Sequence, residues 1–178
     1  MQPTPGTLAD LQHEADPEQV ARLIVLRALS AAPKTRAQLS QLLAKRGVVE
    51  DVAGAVLDSF ESMGYVDDAV FANEWVQQRH RAKGLSRRAL AHELQQRGVD
   101  VDAMEPALAT IDDEAERERA QTLARAKAPA LTHLPLAVAS RRLAGYLARR
   151  GYGSAVISVT VRSVLADQSG FDEAPIDH

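Results

Sequence analysis

Cysteine is missing from this chain, which excludes disulfides, thiolate zinc sites and a cysteine nucleophile. Aromatic residues are only 4% of the 178 positions, against 46% hydrophobic residues in all. A core must therefore be built mainly from Ala, Leu and Val. Ala and Leu favour helices, whereas sheets draw on aromatic and β-branched side chains. No apolar run approaches the roughly 18 residues of a membrane-crossing helix. No basic segment followed by an apolar one opens the chain, so a secretory signal is not expected. The phosphate-loop, dinucleotide-binding, zinc-protease and nucleophile-elbow spacings are likewise missing. His13, His80, His92, His133 and His178 are scattered, without metal-ligand spacing. The expectation is a soluble cytoplasmic protein that is not an enzyme and carries no cofactor or metal.

What the chain does have is a phrase that returns. Leu39-x3-Leu43-x2-Arg46-Gly47-Val48 is followed by Leu90-x3-Leu94-x2-Arg97-Gly98-Val99 and then by Leu143-x3-Leu147-x2-Arg150-Gly151-Tyr152, with the glycines about fifty residues apart. Self-similarity at that period marks a repeat protein, which offers a binding surface more often than a catalytic pocket. The Arg-Gly ends have a structural explanation. Glycine takes the left-handed conformation after a helix cheaply, and a cation suits the negative helix end.

Around each phrase the pattern predicts three helices. In the first repeat a stripe from Val20 to Leu29 stops at Pro33. Thr35 with Gln38 three residues on forms a capping box before the Leu39 helix, and a third helix runs to Gly64. In the second, Asp67 or Asp68 caps a helix bearing Phe71, Ala72, Trp75 and Val76. Gly84 ends it, Ser86 caps the Leu90 helix, and a short helix covers about Val101 to Ile111. In the third, Asp112, Asp113 and Glu114 open a long helix to about Lys127. A loop with Pro129 and Pro135 follows, then a helix from Leu136 to Arg150 and a last helix capped by Ser154. The expected architecture is all-α, three tandem three-helix repeats in an elongated, curved array. It comprises a flexible leader over 1–17, repeats over 18–66, 67–111 and 112–167, and a flexible tail over 168–178.

Net charge is −3, which argues against a blanket affinity for nucleic acid, but the charge is segregated. Between Arg79 and Arg97 the single acid is Glu93, against Arg79, Arg81, Lys83, Arg87, Arg88 and Arg97. Solvated helix faces normally mix both signs, so these six are the leading candidates for contact with a phosphate backbone or an acidic surface. Three or four such contacts predict a log–log salt slope of roughly −3. Replacing Arg79, Lys83, Arg87 and Arg88 by Ala is expected to weaken binding with the fold intact. Trp75 is either a core aromatic or a stacking anchor. Trp75, His92, Arg141, Arg142, Arg149 and Arg150 are secondary candidates for partner contact. The acidic run from Asp112 to Glu118 suits a helix N-terminus, and is also a candidate contact for a positive surface.

The stretch Gly64-Tyr65-Val66-Asp67-Asp68-x2-Phe71-Ala72-x2-Trp75-Val76-x2-Arg79-x4-Gly84-x5-Leu90-x2-Glu93-Leu94-x2-Arg97-Gly98-Val99 resembles the signature block of the RecX family, regulators of the RecA recombinase. The resemblance covers about residues 18–166. It implies a non-enzymatic protein that binds in the groove of RecA filaments on DNA and limits their growth, and with it strand exchange, ATPase and coprotease activity. It implies mostly structural roles for Tyr65, Asp67, Asp68, Phe71, Gly84, Leu90, Leu94 and Gly98, and singles out Arg79 and its basic neighbours for interaction. The third repeat departs from the pattern in its proline-containing loop and in Tyr152. A monomer is expected, with the RecA filament as partner and single- or double-stranded DNA as a further one. The competing reading is a duplex-DNA regulator of helix-turn-helix type, to which repeated three-helix units are similar at the level of fold.

Overall fold

Asp16 starts the first helix. Its carboxylate accepts the Glu18 N–H at 3.0 Å, and Pro17 fills the first helical position, where no N–H is needed. The computed structural model describes residues 16–169, and among these are nine α-helices and no strand. They are α1 (Pro17–Ala31), α2 (Arg36–Lys45), α3 (Glu50–Ser62), α4 (Asp68–Lys83), α5 (Arg87–Gln96), α6 (Val101–Ala109), α7 (Asp113–Lys127), α8 (Leu136–Ala148) and α9 (Ser154–Ser169). No described helix is long and apolar enough to cross a membrane.

The predicted triplets of helices are present, with local differences. The leader and tail lie outside the described residues, except that α1 begins at Pro17 and α9 runs to Ser169. The expected loop holding Pro129 contains a 3-10 turn over Ala128–Leu131, because proline is tolerated in a first turn. Ser154 is the first residue of α9 rather than its cap, since Ile157 N–H bonds to the Gly153 carbonyl at 2.9 Å. Of the two aspartates at the start of α4, Asp67 is the cap: its carboxylate accepts the N–H groups of Ala69 and Val70, each at 2.9 Å. Asp68 accepts the N–H of Arg36 at 2.9 Å.

The chain divides into two compact units. The first takes in residues up to Phe71 together with Arg97–Val99. Its core gathers Ala21 and Val25 of α1, Leu39 and Leu43 of α2, and Val56, Leu57 and Phe60 of α3. Apolar residues recurring every three or four positions put these side chains on one face of each helix. Val66 closes this core, while Tyr65 is 63% exposed and rests tilted against Phe60 at 6.0 Å between ring centroids. Thr35 is wholly buried and makes the capping box with Gln38. Its hydroxyl also donates to the Arg97 carbonyl at 2.6 Å. Gly98 follows at φ +73°, where a Cβ would stand 2.4 Å from the Ala37 Cβ. Both the backbone sign and the close approach require glycine there.

The second unit holds Ala72–Gln96 and the chain from Asp100 onward. Here Leu90 and Leu94 of α5 and Met104 and Ala107 of α6 are buried. A cluster of Ala120 and Ala124 from α7, Leu143 and Leu147 from α8, and Val161 and Val164 from α9 forms the terminal core. Alanines along α7 let α8 and α9 approach closely, which is how a chain poor in aromatics fills its interior. Tyr152, where the first two repeats have valine, is 2% exposed, and its hydroxyl donates to the Gly84 carbonyl at 3.1 Å. Burial pushes that hydroxyl up to about 12. The Ser86 N–H donates to the Arg150 carbonyl at 2.9 Å, repeating the link between Thr35 and Arg97.

Candidate functional site

The six cations of the second repeat separate into two groups by what their side chains already hold. Arg79 on α4 lies with its guanidinium 4.2 Å from the centre of the Trp75 ring and its Nε 3.3 Å from the Glu93 carboxylate of α5. The Trp75 indole N–H donates to the same carboxylate at 2.8 Å. Cation, aromatic face and acid make one partly buried cluster. Trp75 is thus not a plain core aromatic: Arg79 covers one of its faces and Glu93 holds its indole N–H.

Arg87 is committed as well. Its guanidinium reaches Asp113 at 2.7 Å and the Ile111 carbonyl at 3.2 Å. Its backbone N–H donates to Glu116 at 2.8 Å. The acidic entry to α7 is therefore engaged from within the same unit. Asp112 caps the helix through Ala115 N–H at 2.7 Å, and Glu114 pairs with Arg117 at 2.6 Å. Arg79 and Arg87 both hold internal contacts, so replacing them by Ala removes these contacts as well as two positive charges. Within the acidic run, Asp112, Asp113, Glu114 and Glu116 each make a contact inside their own unit.

Arg81, Lys83 and Arg88 differ. All three are exposed, and their side chains make no hydrogen bond or ion pair with another described residue. His92 is exposed beside Gln96, its ring nitrogen 3.0 Å from the amide. Arg97 is partly buried, and its carbonyl is taken by Thr35. Among the motif residues, Leu90 and Leu94 are fully buried and Phe71 is 9% exposed. Gly84 ends α4 at φ +62° against Leu123.

The third repeat holds a second set of cations. Arg150 lies over the Tyr146 ring at 3.8 Å and donates to the Lys83 and Tyr146 carbonyls, both at 3.2 Å. It is a structural arginine that fixes the ring. Arg141, Arg142 and Arg149 border a concavity of about 360 Å3 to which Lys127 and Tyr146 also contribute. Lys127 and Tyr146 are not among the contact candidates read from the sequence, although counting from the recurrent leucines puts Tyr146 in register with Glu93 and Leu42.

Comparison with known proteins gives consistent matches. Two family models fit the chain, one described as RecX, first three-helix domain, over residues 21–60. The other, RecX, second three-helix domain, fits residues 67–108. The regulatory protein RecX of Thermobifida fusca is 48% identical over 145 residues, covering 82% of this chain and 78% of that protein. Its counterpart in Mycobacterium marinum is 49% identical over 155 residues, covering 86% and 89% respectively. The crystal structure of RecX from Lactobacillus salivarius superposes with a TM-score of 0.77 over 86% of this chain and 99% of that one, at 19% identity, and so shares the fold.

Proposed function

The chain belongs to the RecX family, and from that premise we propose that it restrains a RecA-type recombinase by binding along the groove of the recombinase filament on DNA. Bound there, it limits filament growth, and with it strand exchange, ATP hydrolysis and coprotease activity. It acts as a regulator rather than a catalyst, as a monomer in the cytoplasm and without a cofactor.

The observation that carries this reading is the state of the second repeat's charges. Arg81, Lys83 and Arg88 are exposed and internally unengaged, while their neighbours Arg79 and Arg87 hold the helices that present them. A charge set supported in this way suits a phosphate backbone or an acidic filament surface. Tandem repeats then add avidity, because each weak contact raises the effective concentration of the next.

The test is recombinase ATP hydrolysis on single-stranded DNA, titrated with the full chain below equimolar ratio. Suppression at substoichiometric amounts is expected. The combined variant Arg81→Ala, Lys83→Ala, Arg88→Ala is expected to require several-fold more protein for the same effect while melting like the parent. No suppression by the folded parent at any ratio sinks the regulator reading. Tight, salt-resistant binding to one duplex sequence would then move the weight to a helix-turn-helix regulator.

A further inference from the structure

We propose that the third repeat carries a direct site for the phosphates of a nucleic-acid strand, formed by Lys127, Arg141, Arg142 and Arg149 around Tyr146. The proposal rests on the filament reading only in supposing that the strand met in the cell is the one the filament coats.

The first observation is an uncompensated charge. The concavity between the end of α7 and the face of α8 has a volume of about 360 Å3 and is lined by four cations and no carboxylate. None of the four cationic side chains makes a hydrogen bond or ion pair with another described residue. Elsewhere in the same unit three arginines are matched by acids, Arg79 by Glu93, Arg87 by Asp113 and Arg117 by Glu114, whereas no acid among the described residues reaches any cation of this concavity. Helix C-terminal dipoles account for Lys127 and Arg149, which stand at the ends of α7 and α8. They do not account for Arg141 and Arg142, which lie in the body of α8. Like charges held around one hollow repel, and an anion relieves that repulsion.

The second observation comes from comparing the repeats. The position before the second recurrent leucine of the middle helix is Leu42 in the first repeat, Glu93 in the second and Tyr146 in the third. Glu93 neutralises Arg79 and fastens Trp75. In the third repeat the acid is gone and an aromatic ring stands in its place, held on one face by Arg150. The groove thus loses its internal counter-ion at the one position where the second repeat supplies it.

The third observation is the fit of Arg149 to its helix. The Arg149 Nη1 lies 3.4 Å from where a Cβ on Gly145 would stand, which places the guanidinium back along α8 beside the concavity. Three planar guanidinium forks match phosphate oxygens in pairs, and a ring beside them offers a surface for a base. That combination favours a nucleic-acid strand over an acidic protein segment, which has no bases to stack.

The experiment is fluorescence anisotropy of labelled oligo-dT with the full chain and no recombinase present, across a salt series. Binding is expected to weaken at least tenfold in Arg141→Ala, Arg142→Ala, Arg149→Ala. The log–log salt slope should fall in magnitude by about 2, since each phosphate contact to a single strand contributes roughly 0.7. Should the triple variant fail to fold, Lys127→Glu and each single alanine variant give the same readout in smaller steps. Unchanged affinity and slope in folded variants overturns the proposal. Equal displacement of oligo-dT by polyglutamate and by unlabelled oligo-dT reassigns the groove to an acidic protein surface. Displacement by millimolar inorganic phosphate alone reassigns it to a small anion. A failure of the regulator reading shows instead in the recombinase ATPase assay, which this binding measurement does not involve.

Discussion

The buried Thr35 hydroxyl accepts the Gln38 N–H at 3.2 Å while donating to the Arg97 carbonyl at 2.6 Å. One oxygen therefore closes a helix start in the first repeat and a helix end in the second. Thr35→Val keeps the shape and removes both bonds. It is expected to lower stability by about 2–3 kcal/mol, roughly one cap plus one buried acceptor left unsatisfied. Thr35→Ser should recover most of that, and urea denaturation of the two variants makes the comparison.

The same turn separates two kinds of glycine. Gly47 at φ +79° has nothing within 4 Å of a built Cβ, whereas Gly98 at φ +73° has the Ala37 methyl at 2.4 Å. Gly47→Ala should cost only the left-handed backbone term, about 1 kcal/mol. Gly98→Ala adds overpacking and should cost about 2–4 kcal/mol. Equal thermal shifts for the two variants would contradict the close approach.

Glu93 holds both Trp75 and Arg79, so Glu93→Gln is expected to destabilise by about 1–2 kcal/mol, as for a half-buried charged hydrogen-bonded group. It also leaves Arg79 without its carboxylate. Affinity for oligo-dT should rise, and the salt slope should steepen by up to roughly 0.7. Weaker oligo-dT binding in a folded Glu93→Gln protein would show that the cluster, rather than the charge it masks, contributes to recognition.

Tyr152 sets a limit at high pH. Its hydroxyl titrates at about 12 in the folded chain against an ordinary value of 10.0. Between those values the unfolded chain releases this proton while the folded chain keeps it, so stability falls as pH rises. The contribution is complete below about pH 10 and is lost as pH climbs toward 12, at about 1.4 kcal/mol per pH unit. Tyr152→Phe should flatten this part of the stability profile, at the expense of about 1 kcal/mol at neutral pH for the lost bond to Gly84. Denaturant titrations from pH 8 to pH 11.5 compare the two.

What the sequence made legible was local. The Thr35–Gln38 box, the positive-φ glycines after each middle helix and the recurrent leucines all depend on spacings of a few residues, and spacing is what a sequence displays. The pairing of Arg79 with Glu93 was hidden because the two sit on different helices, and a turn at Gly84 decides whether they meet. Arg87 looked like an open cation for the same reason: its acids arrive from the start of α7. The run of cations could be read from the sequence, but how many were already engaged could not. Tyr146 carried a signal in its register with Glu93, which becomes informative only once Glu93 is known to be a counter-ion.

The link between neighbouring repeats also works as punctuation. Thr35 offers a hydroxyl and Ser86 a backbone N–H to the arginine carbonyl that ends the next middle helix. Counting four residues back from Leu143 puts Ala139 in the corresponding slot. Ala139 has no hydroxyl, and its N–H is already bonded to the Pro135 carbonyl at 3.0 Å, because α8 begins a turn earlier than its counterparts. The third repeat thus lacks, through one side chain and one early helix start, the link by which the first two hold a following arginine carbonyl.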